Sequence, residues 1–158
     1  MRRATAADIP EITRVTNLAY AAEAFFLRGD RTSPEEVGQL METGFFLVVP
    51  GGDGRLEASV FLRPEGLRWY LGLLAVAPEC QQRGLGRGMV EAAAALCREE
   101  GGKFLDLTVV NVRRELFGFY GALDFHANDV QPLRNPERAI LPCHLVRLTR
   151  SLSPAWEL

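Results

Sequence analysis

The chain has 158 residues, 47% of them apolar, with a formal net charge of −2. That length fits one domain, 1–158, with a substantial core, and the composition excludes a disordered chain. The slight negative charge argues against nucleic acid or an anionic membrane as partner, no apolar stretch is long enough to span a bilayer, and no signal-peptide pattern opens the chain. Cys80, Cys97 and Cys143 are an odd number without metal-ligand spacing. They read as reduced thiols in the cytoplasm, with no metal site.

Arg2 to Thr5 reads as a short opening strand. Asp8 offers an N-cap with Glu11 three residues on, and Ile12, Val15, Ala19 and Ala22 follow at helical spacing. Ala24 to Thr32 is a loop. Ser33-Pro34-Glu35-Glu36 starts a second helix, with a capping box and proline at the first helical position, running to about Thr43. Phe45 to Val49 is an apolar strand, turned by Gly51-Gly52-Asp53-Gly54 into another around Leu56 to Leu62. Trp69 to Val76 is apolar on both alternating faces and reads as a central strand.

A third helix carries Met89, Val90, Ala93, Ala94, Leu96 and Cys97 as its inward stripe and ends at Gly101-Gly102. Phe104 to Val110 is a strand, Val112 to Leu123 a helix and Phe125 to Val130 a strand. Ile140 to Leu148 is a final strand, which Pro142 marks as bulged or peripheral.

The most informative segment is Leu73-Leu74-Ala75-Val76-Ala77-Pro78-Glu79-Cys80-Gln81-Gln82-Arg83-Gly84-Leu85-Gly86-Arg87-Gly88. A strand ends at a polar turn, and three alternate glycines open a helix. Glycine lets a ligand approach the backbone, and first-turn amides have no partner within the helix. With the positive end of the helix dipole they suit a phosphate or pyrophosphate. Arg83 and Arg87 flank the turn and could pair with phosphate oxygens. A Walker loop would need Lys-Ser or Lys-Thr where Arg87 and Gly88 stand, and Gly84-x-Gly86-x-Gly88 is one residue too short for a dinucleotide fingerprint.

Gln-x-x-Gly-x-Gly does fit, at Gln81, Gly84 and Gly86. Preceded by Leu-Ala-Val-x-Pro and followed by an alanine-rich helix, it resembles the coenzyme A signature of the GNAT superfamily of N-acetyltransferases. The element order agrees along nearly the whole chain. The resemblance implies an α+β (mixed α/β) fold: a mixed, mostly antiparallel sheet of six to seven strands, flanked by about four helices, with the fourth and fifth strands splayed. It also implies acetyl-CoA as cofactor. Leu74, Ala75 and Val76 would run beside the pantetheine, and Gln81, Gln82, Arg83, Gly84, Leu85, Gly86, Arg87 and Gly88 would hold the pyrophosphate.

Acetyl transfer to an amine needs a free nitrogen lone pair, a stabilised oxyanion and a protonated leaving thiolate. The backbone amide of Val76, at the bulged end of the fourth strand, is the oxyanion candidate. The family places a tyrosine in the helix after the fifth strand, in a pattern met here by Asn111 and Phe119-Tyr120-Gly121-Ala122-Leu123-Asp124-Phe125. Tyr120 is thus the general-acid candidate, with packing beside Leu116 and Leu123 as the alternative. Asn111 would bind the pantetheine or cap the helix. Asp124 replaces the usual glycine, and Asp tolerates left-handed backbone better than most residues. Cys80 carries no mark of a nucleophile.

No acid or histidine lies between Trp69 and Val76. Glu23, Tyr70 and His144 remain as base candidates, as does a water chain. For the acceptor, Glu23, Phe25 and Phe26 could hold a cationic, partly apolar amine near Tyr70, or Arg28 and Arg31 could hold a carboxylate. The leading expectation is an acetyl-CoA-dependent N-acetyltransferase acting on a primary amine of a small molecule, amino acid derivative or protein N-terminus by direct attack. A non-catalytic acyl-CoA-binding or regulatory module is the alternative. A tRNA-acetylating enzyme would want a basic face that this acidic chain lacks. Either monomer or homodimer is compatible with the sequence.

Overall fold

The computed structural model describes residues 1–153. Its elements are β1 (Arg2–Arg3), α1 (Ile9–Ala19), α2 (Pro34–Thr43), β2 (Phe45–Pro50), β3 (Leu56–Glu65), β4 (Arg68–Val76), α3 (Leu85–Glu99), β5 (Phe104–Val110), α4 (Arg114–Gly121), β6 (His126–Gln131) and β7 (Leu145–Ser151). Seven strands form a sheet of order β1-β2-β3-β4-β5-β7-β6. The β4–β5 pairing is parallel, while β1–β2, β2–β3, β5–β7 and β6–β7 are antiparallel. This is the mixed, mostly antiparallel α+β architecture that the resemblance implies.

Two compact units divide the chain. The first comprises Met1–Ala22, Asp30–Arg63 and Leu71–Val90. Its buried side chains include Ile12 and Val15 of α1, Val37 of α2, and Phe46, Val48, Val60 and Leu62 of the sheet. Ser33 caps α2 as expected, its Oγ accepting from the Glu36 amide at 3.2 Å. The Asp8 cap works differently from the expectation. Asp8 makes no side-chain cap bond to α1; its carboxylate accepts from the Thr5 amide at 2.8 Å and pairs with Arg2. Glu11 pairs with Arg14 at 2.7 Å and accepts from the Leu56 amide at 2.8 Å, so it ties α1 to β3. The expected inward stripe stops short, since Ala22 is exposed.

The second unit comprises Glu23–Gly29, Pro64–Tyr70 and the described residues from Glu91 on. Leu105, Leu107, Val109, Ala93, Cys97, Leu123 and Leu148 are buried in it. The starts of α4 and β7 differ from the sequence reading. Helix α4 begins at Arg114 rather than Val112, because Asn111 and Arg113 are committed to the turn before it: the Asn111 amide bonds to His144 O and the Arg113 amide to Val110 O. Strand β7 begins at Leu145 rather than Ile140, since the Ile140 amide donates to Phe26 O at 2.8 Å and Pro142 has no amide to give.

The β4–β5 ladder covers only Arg68↔Phe104, Trp69↔Leu105 and Tyr70↔Asp106. Beyond it β5 pairs with β7 as far as Val110↔Leu145, and the parallel strands splay. Arg68 closes the foot of the splay with two 2.7 Å bonds to Asp106, which also accepts from Thr149 Oγ1 at 2.5 Å. Burial works against the Asp106 charge, but Arg68 and Thr149 outweigh it and hold the carboxyl below its ordinary value. A carboxyl lowered on folding stabilises the fold above its unfolded value and loses that contribution as pH falls through the folded one. Asp106→Asn should therefore cost about 1–3 kcal/mol at pH 7. In urea titrations across pH, that difference should shrink below about pH 4.

Candidate functional site

The glycine-rich turn lies in the first unit. A one-turn 3-10 helix at Pro78–Cys80 follows β4, and the chain then reverses through Gln82 at φ 65° and Gly84 at φ 76° into α3. Both are left-handed conformations, cheap for glycine and costly for Gln82. The first bond of α3 runs from the Gly88 amide to Gly84 O at 3.0 Å. The amides of Leu85, Gly86 and Arg87 therefore precede the ladder and are unused by the helix.

A Cβ built on Gly84 or Gly88 would meet nothing within 4 Å. These glycines face open space, and no packing demand explains them. Gln81 Nε2 donates to Val76 O at 3.1 Å, and Arg83 Nη2 to Glu79 O at 3.2 Å. Left-handed backbone, open space and unused amides fit a phosphate-bearing ligand held by residues 82–88.

Val76 ends β4 in the same unit, with Leu74 half-buried and Ala75 buried. The strand's irregularity sits earlier than expected, at Leu73, whose φ is 51°. A left-handed leucine inside a strand is a marked departure from ordinary backbone. Nothing in its side chain announces it. Arg31 stacks over the Tyr20 ring at 5.3 Å in this unit.

Cys80 is buried, with Sγ 3.5 Å from Glu57 Oε2. Burial and the Glu57 carboxylate push the thiol up, away from the thiolate a nucleophile needs. Cys97 is pushed up to about 12 by burial.

The second unit holds Tyr120, Asn111, Tyr70, Glu23, Phe25 and Phe26. Tyr120 is buried in α4, its ring edge-on to Phe119 at 4.9 Å and to Phe125 at 5.6 Å. Asp124 takes φ 67°, so the turn after α4 survives without the glycine. Asn111 does not cap α4. Its Oδ1 accepts from the His144 amide at 2.8 Å while its own amide donates to His144 O at 2.9 Å, locking the end of β5 to the start of β7. Arg113 stands at the N-cap, where an arginine has no acceptor to offer.

Glu23 is buried and bonds through Oε2 to Arg113 Nη1 at 2.8 Å. Burial opposes the Arg113 charge, but Glu115 at 2.6 Å and the Glu23 carboxylate more than offset it and raise the guanidinium above its ordinary value. Sequence reasoning missed Arg113, and only the acidic partner of this pair was singled out. The phenylalanines separate, Phe26 being fully buried and Phe25 55% exposed. Tyr70 lies under Arg134, 5.7 Å from the guanidinium to the ring centre. Among the described residues no cluster of His, Cys, Asp and Glu could hold a metal ion, and no helix is long and apolar enough to cross a membrane.

Comparison with known proteins agrees with this geometry. No curated protein sequence matches the chain significantly. The fold is similar to that of the ribosomal-protein-S18-alanine N-acetyltransferase from Escherichia coli, with a TM-score of 0.77 at 18% identity over 97% of this chain and 93% of that one. The IAA acetyltransferase from Bacillus cereus aligns at TM-score 0.73 and 17% identity, over 95% of this chain and 97% of the other. A GNAT family acetyltransferase from Elizabethkingia anophelis, solved with acetyl-CoA bound, aligns at 0.66 and 16% identity over 75% and 83%. The family model described as Acetyltransferase (GNAT) family matches residues 18–125, which takes in the glycine turn, β5 and α4. The chain belongs to the GNAT acetyltransferase family.

Proposed function

We propose that this protein is an N-acetyltransferase of the cytoplasm that transfers an acetyl group from acetyl-CoA to a primary amine by direct attack, without an acyl-enzyme. The observation that carries the reading is the turn at residues 82–88. Gly84 is left-handed and faces open space, just before three amides that the α3 ladder leaves unused. Those amides would hold the pyrophosphate, with Arg83 and Arg87 beside them and Gln81 buttressing the turn through Val76 O. Leu74, Ala75 and Val76 would line the pantetheine arm. When bound, acetyl-CoA supplies an acetyl group already activated as a thioester.

In this reading the chain's own residues bind, orient and move one proton. The Val76 amide donates to the carbonyl oxygen as charge builds there. Tyr120 holds, at its hydroxyl, the proton that the departing sulfur takes. Phe119 and Phe125 pack edge-on against its ring and restrict how it can turn. The buried, raised thiol of Cys80 supports a direct transfer, because a covalent route would need a thiolate.

For the acceptor, the exposed Phe25 ring and Tyr70 offer apolar surface for a small amine, an amino acid derivative or a protein N-terminus. One structural neighbour is an alanine N-acetyltransferase of a ribosomal protein, which keeps the protein N-terminus within that class.

Acetyl-CoA at 100 times its dissociation constant should stabilise the protein by about 2.7 kcal/mol. Gly84→Val places a branched side chain in the open space at a left-handed position; in thermal-shift titration it should remove that stabilisation. A folded variant that binds acetyl-CoA as the parent does would overturn the turn's assignment. Tyr120→Phe should keep fold and cofactor affinity but lower turnover by a factor of about 100 to 10,000 in a thiol-release assay over a panel of amines. Cys80→Ser should stay active. The reverse pattern would make Cys80 the nucleophile.

A further inference from the structure

The Glu23–Arg113 ion pair is deeply buried, and the acetyl-transfer chemistry leaves it unused. Its side chains are 9% and 14% exposed, and they come from residues 90 apart in sequence. A surface ion pair would need no explanation. A buried one stabilises weakly against an apolar pair of the same shape, because both ions lose their hydration. What such a pair does supply is a fixed geometry.

That geometry links three segments of the second unit. Arg113 is the N-cap of α4, the helix that carries Tyr120. Glu23 opens the segment Glu23–Gly29, whose turn is closed by the Phe26 and Leu27 amides on Glu23 O at 3.1 and 2.9 Å. The far side of that segment is zipped to the connection between β6 and β7. Leu27 bridges Ala139, the Arg28 amide donates to Arg138 O at 2.8 Å, the Ile140 amide to Phe26 O at 2.8 Å, and Arg138 Nε to Arg28 O at 2.8 Å. Phe26 plugs the core beneath, and Phe25 stands out of it with its ring edge-on to Phe26 at 4.6 Å. Phe25 thus sits on a short segment clamped at both ends, by the ion pair on one side and by backbone bonds on the other.

We propose that Arg113 and Glu23 are a positioning pair: the ion pair sets segment 23–29, and with it Phe25, relative to α4, and so sets how the acceptor amine is held. This rests on the reading of that segment as part of the acceptor side. Glu23 is then a strut committed to Arg113 and takes no proton from the substrate. Glu115 shares the guanidinium through Nε but is 64% exposed, and it plays no part in the geometry.

The test uses the full chain and four variants: Glu23→Gln, Arg113→Lys, Glu23→Gln with Arg113→Gln, and Glu115→Gln as control. With an accepted amine, Glu23→Gln and Arg113→Lys should raise acceptor KM by about 10- to 100-fold, as a slight misplacement does, with kcat little changed. The acetyl-CoA thermal shift should stay at the parent value. The double variant should be no worse than Glu23→Gln, since the one further bond it removes, Arg113 to the exposed Glu115, is the one the Glu115→Gln control shows to be dispensable. Glu115→Gln should match the parent. A fall in kcat with KM unchanged and an altered pH profile for Glu23→Gln would make Glu23 the general base and overturn the proposal, as would an unchanged KM.

Hydrogen exchange decides the same point without turnover. Arg113→Lys keeps the charge and should fold; its Leu27, Arg28 and Ile140 amides should exchange faster while β5 and β7 keep their protection. If those three amides exchange at the parent rate, the pair does not hold the segment. A parent protein that releases no thiol with any amine would sink the acetyltransferase reading, yet the exchange result would still decide whether the pair is a strut.

Discussion

The structure depends on a parallel ladder that stops after three residue pairs. β4 and β5 are held together only at Arg68↔Phe104, Trp69↔Leu105 and Tyr70↔Asp106. An interior strand that abandons its neighbour leaves backbone groups without ladder partners, which a fold tolerates only where something else can meet them. β5 keeps its pairing with β7 along its whole length, so it stays anchored on that edge where its ladder with β4 ends. Asp106 sits at the last shared pair, takes both arms of Arg68 and carries a hydrogen bond from Thr149 of β7. One carboxylate therefore joins three strands at the point where two of them part. The Leu73 backbone, left-handed within β4, shows that strain is stored a few residues further on.

The polar connections elsewhere follow the same economy. Asn111 exchanges two bonds with the backbone of His144, and Glu11 holds Leu56 to α1; in each case a side chain does the work of a ladder rung. Bonds of this kind place loops that have no secondary structure of their own. They matter most around Glu23–Gly29, where the chain leaves α1 and must still arrive at a defined position. Phe26 supplies the apolar anchor, and the backbone bonds to Arg138 and Ile140 supply direction.

What the sequence made legible is what adjacent residues determine. The glycine turn, the Ser33 cap, the alanine-rich stripe of α3 and the left-handed Asp124 were all readable, because each rests on the conformational preferences of neighbours in the chain. The order of elements was readable too, since apolar periodicity marks them. The ends of α4 and β7 were not. Their limits are set by Asn111 with His144 and by Ile140 with Phe26, contacts between residues tens to more than a hundred positions apart. Arg113 was invisible for the same reason. Nothing local distinguishes it from Arg114, its exposed neighbour, and only the fold brings it to Glu23. The irregularity at Leu73 has no local signature either, because a leucine is ordinary in a strand.

The turn after β4 tilts its backbone toward hydrogen-bond donors without committing a single acidic or metal-binding group. The carbonyls that lead into it are used: Ala77 and Pro78 accept from the Cys80 and Gln81 amides, Val76 from Gln81 Nε2, and Glu79 from Arg83 Nη2. Its donors are spared, because the α3 ladder starts only at the Gly88 amide and leaves those of Leu85, Gly86 and Arg87 ahead of it. The local balance is thus tilted toward unsatisfied N–H groups, and the dipole of a fifteen-residue helix adds to that tilt. The two side-chain bonds to carbonyls come from Gln81 and Arg83, which bracket left-handed Gln82 and brace the turn from within. Gly84 then needs no side chain for packing, and the space a Cβ would enter stays open.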